Sequence, residues 1–160
     1  MMARDVQPPA LDPQSVTSRQ GSSYPEPFKR PVEGRVKRAL GEALGLTNYG
    51  VNHVRLEPGA WSAQRHWHSH EDEFVYILEG EITLVTEQGD QVLGPGMVAG
   101  FPAGVADGHH LVNKSDRPAV YLEVGDRSPN DEVHYPDIDL FLPSRRNGQV
   151  FTDKKGTPYR

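Results

Sequence analysis

Hydrophobic and polar residues alternate from residue 48 to residue 126, and glycine or proline interrupts the alternation every few residues. Side chains of a β-strand point to opposite faces in turn, so a period of two predicts strands with one buried face. The region therefore predicts about seven short antiparallel strands joined by tight turns, as in an all-β sandwich or small barrel. The predicted segments are 48–58, 63–68, 73–80, the hairpin 81–93 with its turn at 87–90, 96–104, 109–113 and 118–126.

The chain before this region carries two further patterns. Residues 1–31 hold 6 of the 14 prolines among many polar residues. Such a segment cannot bury enough apolar surface to offset its ordering entropy, which predicts an extended arm, either loose or laid across a partner subunit. Residues 33–46 space Val36, Leu40 and Leu44 four apart, which predicts one short helix or a turn.

The end of the chain completes the predicted organisation. Residues 133–142 predict one more strand, and residues 143–160 form a polar tail. We therefore expect one domain over 32–142, with its core at 48–126, between the arm and the tail.

Composition excludes several classes of function. The chain has no cysteine, which excludes disulfide scaffolds, cysteine zinc sites, iron–sulfur clusters and thiol nucleophiles. Its net charge of −5 gives no basic field for nucleic acid or anionic lipid. No apolar stretch is long enough to span a membrane, and the N-terminus lacks the apolar segment of a secretory signal. We expect a cytoplasmic protein that binds neither nucleic acid nor membrane.

Five of the seven histidines fall in two clusters, at 66–70 and at 109–110. On a strand, His66 and His68 project to one face, together with Gln64. Glu73 opens the next predicted strand, and His109 opens a later one. Three imidazoles and one carboxylate on neighbouring strands suit a divalent transition metal, whether iron, manganese, zinc, nickel or copper. His53 and His134 have no such partners and are interpreted as structural.

At these residues the sequence resembles the cupin superfamily, specifically small single-domain bacterial cupins of unassigned function. Its first motif joins a glycine, a His-x-His pair, a glutamate and a second glycine at characteristic spacings. This chain has Gly59, His66-Trp67-His68, Glu73 and Gly80, with one extra residue in the lead-in. Its second motif joins a glycine, Pro-x-Gly, a histidine and an asparagine, which correspond here to Gly96, Pro102-Ala103-Gly104, His109 and Asn113.

The second motif departs from the family spacing by two residues. The expected histidine position is occupied by Asp107, whereas counting back from Asn113 gives His109. A two-residue insertion between Val105 and Gly108 explains this and makes His109 the fourth ligand. Asp107, or His110 after a register slip of one residue, remains an alternative.

The resemblance implies an antiparallel jelly-roll β-barrel with the metal inside one end. It leaves function open, because cupins include oxygenases, isomerases, lyases and ligand sensors. We therefore consider a metal-dependent enzyme acting on a small oxygen-bearing molecule, a non-enzymatic ligand-binding or sensor module, and a barrel with a structural role. The catalytic residues are not identified by the sequence. Predicted pocket-wall residues are Val75, Ile77, Phe101 and Leu122 or their strand neighbours, with Glu123, Tyr121 and Tyr76 as possible polar groups.

Assembly follows from the same resemblance and from the open edge of a sheet. Jelly-roll cupins commonly pair, and an exposed sheet edge is best covered by another chain. We expect a homodimer in which either the arm, with Tyr24 and Phe28, or the strand near 133–142 crosses the interface.

Overall fold

In the computed structural model, which describes residues 4–160, β-strands dominate and helix is limited to short turns. The single α-helix of this described part, α1, covers Leu40–Ala43. The strands are β1 (Ser18–Gln20), β2 (Arg35–Ala39), β3 (Tyr49–Leu56), β4 (Trp67–His68), β5 (Glu73–Glu79), β6 (Ile82–Thr86), β7 (Gly89–Leu93), β8 (Val98–Phe101), β9 (His110–Val112), β10 (Ala119–Asp126), β11 (Val133–His134) and β12 (Phe141–Leu142).

The strands form one large and two small antiparallel sheets. The large sheet has the order β1-β2-β3-β10-β5-β8, and the small sheets have the orders β12-β11-β4 and β7-β6-β9. This arrangement agrees with the predicted jelly-roll class. None of the helices in residues 4–160 has the length and apolarity that crossing a membrane requires.

The core lies on the inner face of the large sheet. In β10, Tyr121 stands opposite Val54 of β3 and Ile77 of β5, and all three are buried. The intervening positions of β5, such as Phe74 and Tyr76, are exposed on the outer face. The period of two thus sorts apolar side chains between a packed interior and an outer surface.

Gly80 ends β5 at a position where only glycine fits. Its φ is +77°, and a Cβ there would lie 2.6 Å from the carbonyl oxygen of Pro118. The missing side chain lets the turn pass directly against the start of β10.

Three predicted segments differ in detail. Residues 33–46 contain the helix only at 40–43, because Arg35–Ala39 pairs with β3 as a strand. Residues 63–68 are extended only at Trp67–His68. The predicted single strand 133–142 is two short strands, β11 and β12, paired antiparallel with a turn between them. Pairing with a neighbouring strand overrode local spacing in each case.

The N-terminal segment packs against its own chain. β1 pairs with β2, and Tyr24 and Phe28 pack on a second apolar cluster formed around Tyr135 and Leu140. The side-chain amide of Gln64 donates to the carbonyl of Phe28 at 2.7 Å. Within the described residues 4–31, the extended arm predicted from composition therefore adds an edge strand and an aromatic cover to its own chain, and residues 1–3 of the arm lie outside the described part.

Candidate metal centre

Three histidine rings converge on one carboxylate, that of Glu73. Its Oε2 lies 2.5 Å from Nε2 of His109 and 3.6 Å from Nε2 of His66, and its Oε1 lies 3.2 Å from Nε2 of His68. The candidate ligand atoms of His66, His68 and Glu73 all lie within 4.8 Å of one another. The arrangement is a compact, largely buried cluster of four donors.

Strand pairing explains why residues 43 positions apart meet here. The backbones of His66 and His109 are bonded reciprocally, at 3.1 and 2.9 Å, in an antiparallel bridge. Directly opposed residues of an antiparallel pair point to the same face. Glu73 stands opposite Phe101 of β8, whose ring stacks on that of His109 with centroids 3.6 Å apart.

The far nitrogens of two rings are held by other groups. Nδ1 of His66 donates to the carbonyl of Gln64 at 2.7 Å, and Nδ1 of His68 donates to Asp131 at 2.6 Å. These bonds orient both rings so that Nε2 of each faces Glu73. Nδ1 of His109 is buried and has no hydrogen-bond partner among residues 4–160.

The electrostatics of the cluster favour a bound positive charge. Burial raises the pKa of Glu73, but the surrounding imidazoles outweigh it and hold the pKa well below its usual range. Burial lowers the pKa of His68, but hydrogen bonds to Asp131 and Glu73 outweigh it and raise the pKa to about 10. Burial lowers the pKa of His109. An ionised carboxylate with convergent imidazole nitrogens fits a divalent transition metal.

The alternative fourth ligands lie in other contacts. Asp107 accepts from the backbone N–H of Glu87 at 2.9 Å. His110 donates through Nδ1 to the carbonyl of Ala63 at 2.8 Å and packs edge-on against Trp61. Of the three candidates, His109 is the one in contact with Glu73, although its role as a metal ligand stays a prediction.

The remaining histidines stand apart from the cluster. His70 is exposed and bonds the hydroxyl of Ser69. His134 stacks on Trp67, which faces away from the cluster as expected for a packing residue. His53 lies on the outer face of β3.

A cavity of about 220 Å³ opens beside the four residues. Val75, Phe101, Tyr121 and Glu123 line it, in agreement with the expected wall. Two other expected wall residues do not line it: Ile77 is fully buried in the core, and Leu122 lies on the opposite face of β10 from Tyr121. The register shift in the β10–β5 pairing falls between Val120 and Tyr121, next to these positions.

Sequence reasoning missed two residues of the site, Asp131 and Arg35, and expected the side chain of Gln64 on the histidine face. Gln64 is buried as an anchor for the N-terminal segment rather than facing the metal side. Asp131 supports His68 from 63 residues away, and Arg35 lines the cavity from β2. Polar residues in loops and short strands carry no periodic signal, so only the tertiary structure reveals them.

Comparisons with known proteins identify the family of this chain. The profile of the family "Cupin domain" matches residues 52–125. A crystal structure of a sugar phosphate isomerase from a cupin superfamily, from Silicibacter pomeroyi, is 45% identical, with a TM-score of 0.90 over 95% of this chain and 97% of that chain. This chain belongs to the cupin superfamily.

Two further structures extend the likeness. A protein from Acidithiobacillus ferrooxidans, provisionally assigned as a sugar phosphate isomerase, is 32% identical, with a TM-score of 0.71 over 79% of this cupin and 80% of that chain. A polyketide cyclase from Streptomyces resistomycificus is 23% identical, with a TM-score of 0.62 over 86% of this chain and 87% of that chain. This likeness shows a shared fold alone. No curated protein sequence showed a significant match.

Proposed function

We propose that this cupin is a metal-dependent isomerase that interconverts the carbonyl and hydroxyl groups of a small sugar, of the sugar phosphate class. The observation that carries the proposal is the convergence of three imidazoles and one carboxylate beside a cavity that also contains a second carboxylate, Glu123. The two relatives above 30% identity, both associated with sugar phosphate isomerisation, support the choice of reaction among the chemistries open to cupins.

His66, His68, Glu73 and His109 are the proposed ligands of one divalent transition metal. Such a metal acts as a Lewis acid that polarises a carbonyl and holds it beside its neighbouring hydroxyl. Asp131 and the carbonyl of Gln64 orient two of the imidazoles, and Phe101 covers the ring of His109.

Glu123 is the proposed proton-transfer group. It would take the proton from the carbon beside the carbonyl and return it to the former carbonyl carbon, while the hydroxyl proton moves to the former carbonyl oxygen. The atoms balance within the substrate, and no oxidant or reductant is required. Lys37 lies 3.6 Å from Glu123 and balances the charge of its carboxylate.

The sheet register supports this role for Glu123. Glu73 stands opposite Gly125, so Glu123 is its diagonal neighbour on the same face, roughly 7–8 Å away. A Cβ at Gly125 would contact the backbone of Asp72 at 3.3 Å, and its absence leaves the space between the two carboxylates open. A small substrate held at the histidines can therefore reach Glu123.

The metal half of the proposal is tested by elemental analysis of the purified protein. We expect one divalent transition metal per chain, and the double variant His66→Ala, His68→Ala should lose it because two of four donors are gone. The variant His70→Ala is the matched control, since His70 is exposed outside the cluster. Full metal content in the double variant would place the metal elsewhere.

The reaction is tested by following aldose–ketose interconversion of sugar phosphates, with oxygen uptake recorded in parallel. Glu123→Gln should lower kcat by about 100- to 10,000-fold with metal content unchanged, because proton transfer loses its base. Oxygen consumption would indicate an oxygenase instead. Ligand binding without turnover would favour the alternative, a binding or sensor module.

We further propose a cytoplasmic homodimer. The outer face of β5 and β8 exposes Phe74, Tyr76, Leu78 and Val98, an apolar strip that a second copy can cover. Light scattering should show a dimer at micromolar concentration, and Tyr76→Glu should weaken it. A monomer would exclude this assembly.

A further inference from the structure

We propose that Arg35 forms an anion-binding subsite in the same cavity and holds the phosphate or carboxylate group of the substrate. Arg35 opens β2 and lines the cavity together with the histidine cluster. The inference deepens the proposed function by assigning the charged part of the ligand to a residue remote from the proposed metal ligands.

The guanidinium of Arg35 is held only by neutral groups. Its Nη1 donates to the carbonyl of Ser62 at 2.7 Å, and its Nη2 and Nε donate to the carbonyl of Gly21 at 2.9 and 3.3 Å. No carboxylate within residues 4–160 lies within 4.0 Å of it. By contrast, Arg65 is paired with both Glu87 and Asp137.

This geometry leaves a partly buried positive charge without a counter-ion. A guanidinium has five N–H donors, and the two carbonyls engage one N–H on each of its three nitrogens, so two N–H groups remain available. Withdrawing a cation from water without an anion is costly. The carbonyls fix the orientation of the guanidinium but do not neutralise it, so an anionic ligand would complete the site.

A buried hydroxyl beside Arg35 is also without a partner. Tyr121 is 1% exposed, lines the cavity, and its hydroxyl has no hydrogen bond within the described chain. Burial raises the pKa of Tyr121 well above its usual range, and Arg35 and Glu73 act on it in opposite directions. Tyr121 therefore offers a second donor to a ligand in the cavity that Arg35 also lines.

The ligand chemistry follows from these donors. A planar guanidinium fork binds phosphate and carboxylate oxygens through paired N–H bonds, and a neutral hydroxyl adds a third donor. The cavity of about 220 Å³ suits a small molecule that carries its anionic group at one end and its reacting oxygens at the other. A sugar phosphate or a small hydroxy acid has this form.

Thermal unfolding with inorganic phosphate and, separately, with acetate tests the subsite without requiring turnover. At matched ionic strength, one of these anions at millimolar concentration should raise the Tm of the wild-type protein. Arg35→Gln should abolish the rise, and Arg35→Lys, which keeps the charge but not the fork, should reduce it. Arg38→Gln is the matched control, because Arg38 is a partly buried arginine of the same strand, bonded to the carbonyl of Val16, that does not line the cavity.

The double variant His66→Ala, His68→Ala separates this site from the metal. If Arg35 binds the anion, the Tm of this double variant should still rise when the anion is added. If the metal binds phosphate directly, the rise in Tm should be lost in the double variant and kept in Arg35→Gln. That second pattern, or no rise in the wild-type protein with either anion, would overturn the proposal. If turnover is found, Arg35→Gln should weaken the binding of a phosphorylated substrate roughly 10- to 100-fold. The binding of the unphosphorylated analogue should be unaffected.

Discussion

The two ends of the cavity are built differently. At the histidine end, His66 and His109 share a backbone bridge, Glu73 opens a central strand, and Asp131 holds His68. At the other end, Arg35 belongs to β2, near the margin of the sheet, and bonds Gly21 of the N-terminal segment. Under the two proposals, the strands of the motif region hold the metal ligands, whereas β2 and the N-terminal segment hold the anionic group of the ligand.

A substitution in the sheet that carries both ends of the cavity should destabilise the whole fold. Gly80→Ala places a Cβ against the carbonyl of Pro118 at a positive φ, and we expect it to lower the free energy of unfolding by about 2–4 kcal/mol. Denaturant titration measures this. Gly96→Ala is the control: its φ is +86° but no atom lies within 4 Å of the added Cβ, so it should lose only about 1 kcal/mol. Equal losses would show that the close approach contributes nothing.

Asp131→Asn should affect the histidine end alone. The carboxylate of Asp131 orients His68, and losing such a partner typically weakens metal affinity by about 10- to 100-fold. Competition with a chelator measures the affinity. Asp126→Asn, which changes an exposed carboxylate bonded to the backbone of Asp72, should leave it unchanged. An unchanged metal affinity in Asp131→Asn would show that Asp131 does not support metal binding.

Phe28→Ala should affect the opposite end. Phe28 is partly buried, packs edge-on against Tyr159 and lies in the N-terminal segment, in which Gly21 bonds Arg35 and Tyr24 lines the cavity. We expect a loss of about 1–2 kcal/mol of stability and a smaller anion-induced rise in Tm, with metal content unchanged. The neighbouring change Lys29→Ala, at an exposed ion pair, should stay within about 0.5 kcal/mol of the wild type. Metal loss in Phe28→Ala would mean that the two ends are not independent.

The smallest expected effect concerns the ion pair between Arg65 and Asp137, which lies beside His109. Arg65 bonds both oxygens of Asp137 at 2.7 Å and also the carbonyl of Gly108, next to His109. The hydrogen bond from Arg65 lowers the pKa of Asp137, so its stabilisation is present above the unfolded-state pKa near 3.8 and disappears as the pH falls through the lower folded value.

Asp137→Asn should therefore cost about 0.5–1 kcal/mol at pH 7, since Asp137 is more than half exposed, and should cost progressively less in acid below pH 3.8. Thermal unfolding of the wild type and the variant, at pH 7 and at a pH below 3.8, measures this cost. Asp116→Asn, at a nearly fully exposed pair with Arg117, should change nothing. A cost independent of pH would assign the effect to packing rather than charge.

Local pattern predicted most of the central strands. β3, β5, the β6–β7 hairpin, β8, β9 and β10 all fall inside segments marked by a period of two and closed by glycine or proline. Prediction was poorer at the margins, where β2 was interpreted as part of a helical segment and β11–β12 as one strand. Short edge elements have too few residues to show a period, and their state depends on the strand beside them.

The sequence by itself determined the cupin family, the all-β architecture and the shared direction of His66 and His68, because short-range spacing fixes which side chains share a strand face. Only the tertiary structure brought His109 against Glu73, Asp131 against His68, and Arg35 into the cavity. These contacts join residues 36 and 63 positions apart in the first two cases. The pairing of distant strands and the path of the connecting segments decide them, and neither leaves a periodic trace in the sequence.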